Sequence, residues 1–225
     1  MKKRLLAGFL SLAMVLSLLP ASAFASTGTA GVANVCTLAD IKAATNDSSV
    51  TTIRLMNDID VSKENYRFDS CGQGDAPIYC FNPLRSDVVF EGNGYTIYNL
   101  KSGIWRYNYG TVRNLNISIH DTDTDSLHLS DFGVATYTHQ IEYFGITEVN
   151  KGTIENCNVT MCIDRKDQWS LYIGGIVQVN YGTIRDCIAD LKVDVTATTG
   201  DLPGVWTGGI AKSSSENSLI DHCLV

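Results

Sequence analysis

One line of sequence recurs, and it limits what this chain can fold into. Val149-Asn150-Lys151-Gly152-Thr153-Ile154-Glu155-Asn156-Cys157 returns as Val179-Asn180-Tyr181-Gly182-Thr183-Ile184-Arg185-Asp186-Cys187. An earlier copy reads Tyr107-Asn108-Tyr109-Gly110-Thr111-Val112-Arg113-Asn114-Leu115. A worn copy occupies residues 215–223, and half a copy, Thr96-Ile97-Tyr98-Asn99-Leu100, comes first. A Gly-Ile pair precedes each full copy: Gly103-Ile104, Gly145-Ile146, Gly175-Ile176 and Gly209-Ile210. The Leu/Cys positions lie 15, 42, 30 and 36 residues apart. Periods of about 20–50 residues belong to solenoids and propellers.

The residues after each copy decide between the two. Apolar residues alternate after the Cys: Cys157, Val159, Met161, Ile163, and again Cys187, Ala189, Leu191, Val193, Val195. The earlier copy gives Leu115, Ile117, Ile119. Alternation with period two, rich in branched residues, marks a strand with one buried face. A second short strand is expected near residues 173–179, ended by the Asn-x-Gly turn, where glycine is expected to supply positive φ. One coil then reads strand, turn, strand, turn. Coils add in parallel about 4.8 Å apart, and the apolar columns close inward. The chain is therefore expected to be all-β, a parallel β-helix. Asn99, Asn114, Asn156, Asp186 and His222 share a column where the alternation slips by one, which predicts a strained bend there. A propeller needs antiparallel hairpins, and no paired hairpin turns punctuate the chain.

The Gly-Ile-x-x-x-Asn-x-Gly-Thr-Ile-x-Asn-Cys line and Phe90-Glu91-Gly92-Asn93-Gly94-Tyr95-Thr96-Ile97 resemble those of secreted bacterial right-handed parallel β-helix proteins with GLUG-type repeats, in the pectin-lyase-like class. The resemblance spans residues 37–225 and implies the right-handed solenoid. It departs from the GLUG line where that line carries a second Gly, because this column holds Arg106, Glu148, Gln178 and Lys212. A polar column predicts an outward face.

The start of the chain has the form of a signal peptide over residues 1–25: Lys2-Lys3-Arg4, an apolar stretch over 5–19, and Ala23-Phe24-Ala25. The apolar run is shorter than the roughly 20 residues a membrane span needs. The segment holds three basic residues and no acid, so residues 26–225 carry 14 basic against 24 acidic side chains, a net of −10. That balance argues against nucleic acid as a partner. Residues 26–60 are expected to form an N-terminal segment and cap. Within it, Thr37 and Asp40 make a capping box for a short helix over 37–44, and residues 50–59 form a strand. Residues 61–225 are expected to hold the repeats, with an insertion at 120–143. The last repeat ends at the C-terminus without a cap, so further repeats of the same chain are expected after Val225.

Of the seven Cys, Cys71 and Cys80 bracket a small loop and are the best disulfide pair for a secreted chain. Cys157, Cys187 and Cys223 fall in the inward column and read as small core hydrophobes. No Cys-x-x-Cys pair suggests zinc, and no metal or cofactor is expected. Asp121-Thr122-Asp123-Thr124-Asp125 lacks the Gly and Glu of an EF-hand loop and reads as a solvated acidic run, with weak calcium binding as the alternative.

The resemblance brings in a class containing polysaccharide lyases and hydrolases. Laid in register, Thr122, Asp164 and Asp194 share an outward column, as do Ser118, Thr160 and Asp190, and His120, Cys162 and Lys192. Arg165 is the nearby arginine. These are too few and too scattered to assign catalysis, and no catalytic residue is named. Tyr109, Lys151 and Tyr181 occupy the middle of three successive Asn-x-Gly turns and would form an aromatic–basic–aromatic ridge suited to a sugar face. They are the candidate ligand-binding residues. Trp105 and Tyr107 align with Val177 and Val179, which suggests core. The expected function is a secreted or cell-surface structural or adhesive module of a larger surface protein, without enzyme activity. A cell-surface or glycan partner is expected, with no membrane span after signal cleavage. The alternatives are a polysaccharide-binding module or a polysaccharide-degrading enzyme of the same class.

Overall fold

The computed structural model describes residues 30–62, 81–100, 103–121, 140–167, 170–197 and 204–225. The signal segment, Cys71, Cys80, Thr122, Asp123 and Asp125, with the expectations that rest on them, lie outside the described residues.

The cap comprises β1 (Val32–Val35), helix α1 (Leu38–Asn46), β2 (Thr52–Leu55) and β3 (Ile59–Asp60). Next come β4 (Val89–Glu91), β5 (Thr96–Leu100), β6 (Trp105–Asn108), β7 (Thr111–Arg113) and β8 (Asn116–Asp121). Then follow β9 (Gln140–Phe144), β10 (Thr147–Asn150), β11 (Thr153–Glu155), β12 (Asn158–Asp167) and β13 (Ser170–Gly174). The last are β14 (Val177–Asn180), β15 (Thr183–Arg185), β16 (Ile188–Ala197), β17 (Val205–Gly208), β18 (Ala211–Ser214) and β19 (Leu219–Asp221). They stack into four parallel sheets. The long sheet runs β1-β2-β4-β7-β11-β15-β19 and the wide sheet β3-β5-β8-β12-β16. A four-stranded sheet runs β6-β10-β14-β18 and a three-stranded sheet β9-β13-β17. This is a right-handed parallel β-helix.

Several sequence expectations need correction. A full coil has four faces rather than two: the Thr-Ile-x run forms its own short strand, as in β11 and β15, and the 173–179 run divides at Gly175-Ile176 into β13 and β14. A strand the sequence reading did not anticipate, β1, precedes the helix and pairs with β2 in the long sheet. The 50–59 run likewise splits, at Met56-Asn57-Asp58, into β2 and β3. Helix α1 starts as expected, with Thr37 and Asp40 closing both halves of the capping box. At its other end Arg85 donates to the Thr45 carbonyl of the last turn and to the Asp47 and Val50 carbonyls just beyond it, at 3.3, 3.1 and 2.5 Å. The expected insertion is shorter than 120–143, since residues 120–121 end β8 and 140–143 belong to β9.

The apolar columns point inward. Ile53, Phe90, Val112, Ile154 and Ile184 pair in successive coils of the long sheet, and each is 0% exposed. Cys157 and Cys187 are fully buried and unbridged, while Cys223 in the last coil is half-buried. The Cys157 thiol is pushed well up by its hydrogen bond with Cys187 and by burial, so it stays a neutral packing group. Trp105 is core, packed edge-on against Phe90 at 5.0 Å, whereas Tyr107 is half-buried.

A ladder of buried amides ties the coils together. Asn108 donates to Asn150 at 2.8 Å and Asn150 to Asn180 at 2.9 Å, and all three are 0% exposed. Each carbonyl oxygen also accepts from the glycine N–H two residues on, at 3.1, 3.3 and 3.2 Å. These glycines do not have positive φ, contrary to expectation. They are glycine because a Cβ would strike backbone: at Gly152 the Gly110 carbonyl oxygen, at Gly182 that of Gly152. Positive φ falls instead on Asn99, Asn114, Asn156, Asp186 and His222, between +48° and +63°, the column where a strained bend was expected. Asn tolerates this region because its short side chain hydrogen-bonds locally. Here Asn156 donates to Asn114 at 2.6 Å and Asn114 to Glu91 at 2.8 Å.

Asn150 is the middle rung, so its loss strands groups on both sides. Asn150→Ala should destabilise the protein by roughly 2–4 kcal/mol, since each buried polar group left unsatisfied costs about 1–3 kcal/mol. Urea denaturation measures this, and a loss below about 1 kcal/mol would mean the ladder does not hold the coils.

Candidate binding surfaces

The expected ridge exists as a spatial group. Tyr109, Lys151 and Tyr181 each follow a rung of the amide ladder, and their backbones are fixed by it. Lys151 N donates to Asn108 O and Tyr181 N to Asn150 O, both at 2.8 Å. The Lys151 ammonium lies 5.4 Å from the Tyr109 ring centroid, 5.8 Å from Tyr107 and 6.0 Å from Tyr181. Tyr107 stacks on Tyr109 at 6.1 Å and carries the Arg106 guanidinium at 5.4 Å. Tyr109 is 40% and Tyr181 53% exposed. Aromatic faces and a cation therefore stand in one row on the convex corner between the four-stranded and long sheets.

The wide sheet carries the outward residues the sequence placed in register. Asp164 pairs with Asp194; Ser118, Thr160 and Asp190 align; so do His120, Cys162 and Lys192. These carboxylates are exposed. Among the described residues no group of three or more His, Cys, Asp or Glu has metal-holding geometry. Asp121 is not part of a solvated run: it is 3% exposed, points inward beside Ile163, and accepts from the Tyr143 hydroxyl at 2.6 Å.

A second surface was only half visible in the sequence. The three- and four-stranded sheets meet at the Gly-Ile bends, and there the outer surface folds back on itself. A Cβ at Gly174 would strike the Val177 carbonyl and the Gln178 Cα, and one at Gly208 the Ala211 carbonyl and the Lys212 Cα. Into this re-entrant corner project the residues three before and three after each bend glycine. Before Gly145, Gly175 and Gly209 stand Glu142, Tyr172 and Trp206; after them stand Glu148, Gln178 and Lys212. Equal offsets on either side of one bend bring the two columns face to face.

The contacts reflect that arrangement. Tyr172 and Trp206 are register partners whose rings stack at 4.7 Å with 7° between planes. Lys212 reaches across to put its ammonium 4.1 Å from the Tyr172 centroid. Gln178 was expected to face outward in solvent but is 2% exposed, because it donates to the Tyr143 and Tyr172 carbonyls at 2.7 and 2.6 Å. Glu148 is held above the ordinary carboxylate value by burial. The Arg106 guanidinium, 3.5 Å away, opposes this and the charge of Glu142 adds to it. Equal spacing about the bend glycine was the available signal, and it requires knowing that the chain turns there.

The long sheet shows a third column, of alternating sign. Arg54, Glu91, Arg113, Glu155, Arg185 and Asp221 succeed one another through six coils. Arg113 meets Glu91 at 2.7 Å, and Arg185 forms a close pair with Glu155. Burial pushes the Glu91 carboxyl up, but hydrogen bonds from Asn114 and Arg113 outweigh it and hold it below its ordinary value. Opposite charges directly across strands favour this register, and a slip by one coil would oppose like charges.

The profile of the family described as "putative pectate lyase-like adhesive domain" matches residues 32–166. No curated protein and no solved structure matches the chain.

Glu148 sets a pH dependence. Its raised value means the folded chain holds this proton more tightly than the unfolded chain. Its contribution to stability is therefore present at low pH and is lost as pH rises through the folded value. Glu148→Gln removes the loss, so the stability of the variant relative to wild type should rise between about pH 4 and pH 7. Denaturant titrations at both ends measure it; a difference that is flat or falls with pH contradicts the assignment.

Proposed function

The chain belongs to the family of pectate lyase-like adhesive domains, and from that premise we propose that it is an extracellular adhesive module without enzyme chemistry. It contacts a glycan at the cell surface or in the surrounding matrix through the Tyr109–Lys151–Tyr181 row. The observation that carries this reading is the row itself: two exposed rings and a cation between them, on backbone held by buried amides. Such rings offer flat apolar faces to sugars at little entropic cost, because the solenoid has already ordered them. The ammonium selects for partners bearing hydroxyl or acidic oxygens. Secretion fits the form of residues 1–25, and the acidic balance suits an extracellular protein. The exposure of Asp164, Asp190 and Asp194 supports the non-enzymatic reading, because charged side chains ordinarily occupy the outward face of such a strand.

Wild type and a Tyr109→Ala/Tyr181→Ala variant should be compared for retention on immobilised acidic and neutral polysaccharides. The variant should bind roughly tenfold more weakly, from about 0.5–1.5 kcal/mol per aromatic contact. Equal retention removes the row from the proposal. Turnover of any polysaccharide by wild type that vanishes in Asp164→Asn/Asp194→Asn overturns the non-enzymatic reading.

A further inference from the structure

We propose that the re-entrant corner is a second binding site, selective for an organic ammonium and suited to an amine-bearing linear polysaccharide. It does not rest on the convex row, and it takes a ligand of opposite charge preference.

Three independent features converge on a cationic hydrogen-bond donor. The first is the aromatic pair: Trp206, 48% exposed, stacks on Tyr172, and these π faces attract cations. The chain fills this place with an ammonium of its own, Lys212, at 4.1 Å from Tyr172. The second is the carboxylate pair Glu142 and Glu148. Glu142 is the register partner of Tyr172 in the neighbouring coil, and Glu148 stands across the bend from it. The third is Gln178, midway along the opposite wall. Its amide N–H groups are committed to two carbonyls, while its Oε1 is buried without a hydrogen-bond partner among the described residues. A buried acceptor left unmade is costly, and a ligand N–H is what satisfies it.

The spacing separates a glycan from a peptide. The corner repeats with the coil, about every 4.8 Å along the axis, whereas an extended peptide presents same-face side chains about every 6.7 Å. Successive pyranoses of a β-1,4-linked chain face opposite ways, so amines on one side recur about every two coils, the separation between the Glu142–Glu148 carboxylates and the exposed Trp206 face. Lys212 then acts as an internal competitor that a ligand amine displaces.

The test is calorimetric titration of the whole protein with a hexamer of β-1,4-linked glucosamine, at a pH where its amines are charged. The fully N-acetylated hexamer and a hexalysine peptide serve as comparisons. The glucosamine hexamer should bind, and the acetylated one, equal in length but uncharged, should bind at least about tenfold more weakly. Lys212→Met should tighten binding by removing the competitor, and Glu148→Gln should weaken it. In Tyr109→Ala/Tyr181→Ala, which removes the convex row, the preference for the glucosamine hexamer over the acetylated one should persist. Lys212 is on the last coil's surface, so its variant remains informative even if Glu148→Gln fails to fold. The proposal is overturned by equal binding of both hexamers, by stronger binding of hexalysine, by weakening in Lys212→Met, or by no binding of the glucosamine hexamer.

Discussion

The Asn108–Asn150–Asn180 ladder fixes everything outside it. A parallel solenoid has no hairpins to set its register, so some interaction must stop one coil sliding over the next. Apolar columns resist slippage only weakly, because one branched side chain packs much like another. A buried amide is less forgiving. Asn108 and Asn150 each donate up the axis to the next rung, Asn150 and Asn180 accept from the rung below, and all three oxygens accept from the glycine N–H of their own turn. Sliding a rung would leave several buried polar groups unmade, at about 1–3 kcal/mol each. The alternating charge column does the same on the solvent side with weaker, screened pairs.

Fixed register turns outward positions into columns. The ridge is the column directly after the ladder asparagine, and the corner holds the two columns equidistant from the bend glycine. Both surfaces are built from residues of the strands and of the tight turns between them. The ordering cost of both was met when the core folded, which is why a few side chains on such a wall can present a rigid array.

The sequence displayed the inward chemistry clearly and the outward chemistry partly. Ile154, Ile184 and the Cys positions could be read because burial imposes period two, and Asn99, Asn114 and Asn156 because the slip in that period marks a bend. The glycines misled: Gly152 and Gly182 looked like residues needed for positive φ, yet they serve close approach between coils, a contact between residues far apart in sequence. β1 was missed because four residues, only partly apolar, carry little periodicity. Gln178 was placed in solvent because a polar residue opposite a buried strand position ordinarily is. Only the fold-back at Gly174-Gly175 buries it, and the sharpness of a bend is not encoded in one residue's type. The grouping of Tyr109, Lys151 and Tyr181 could be read because their spacing equals the repeat itself.

The two surfaces also differ in what they allow to change. On the convex corner, side chains diverge, so a substitution at Tyr181 alters one contact and leaves its neighbours in place. In the re-entrant corner they converge, and each residue's state depends on the others. Glu148 holds its proton more tightly because it is buried, less tightly because Arg106 is near, and more tightly again because Glu142 is. Tyr172 is at once a stacking partner, a cation acceptor and the source of a carbonyl for Gln178. Convergence of this kind makes a surface selective, since one group of the wrong charge disturbs several contacts together. A solenoid offers such convergence only where its wall folds inward. On this chain the described Gly-Ile bends are those places, so a change of charge beside them disturbs more contacts than one on the broad sheets.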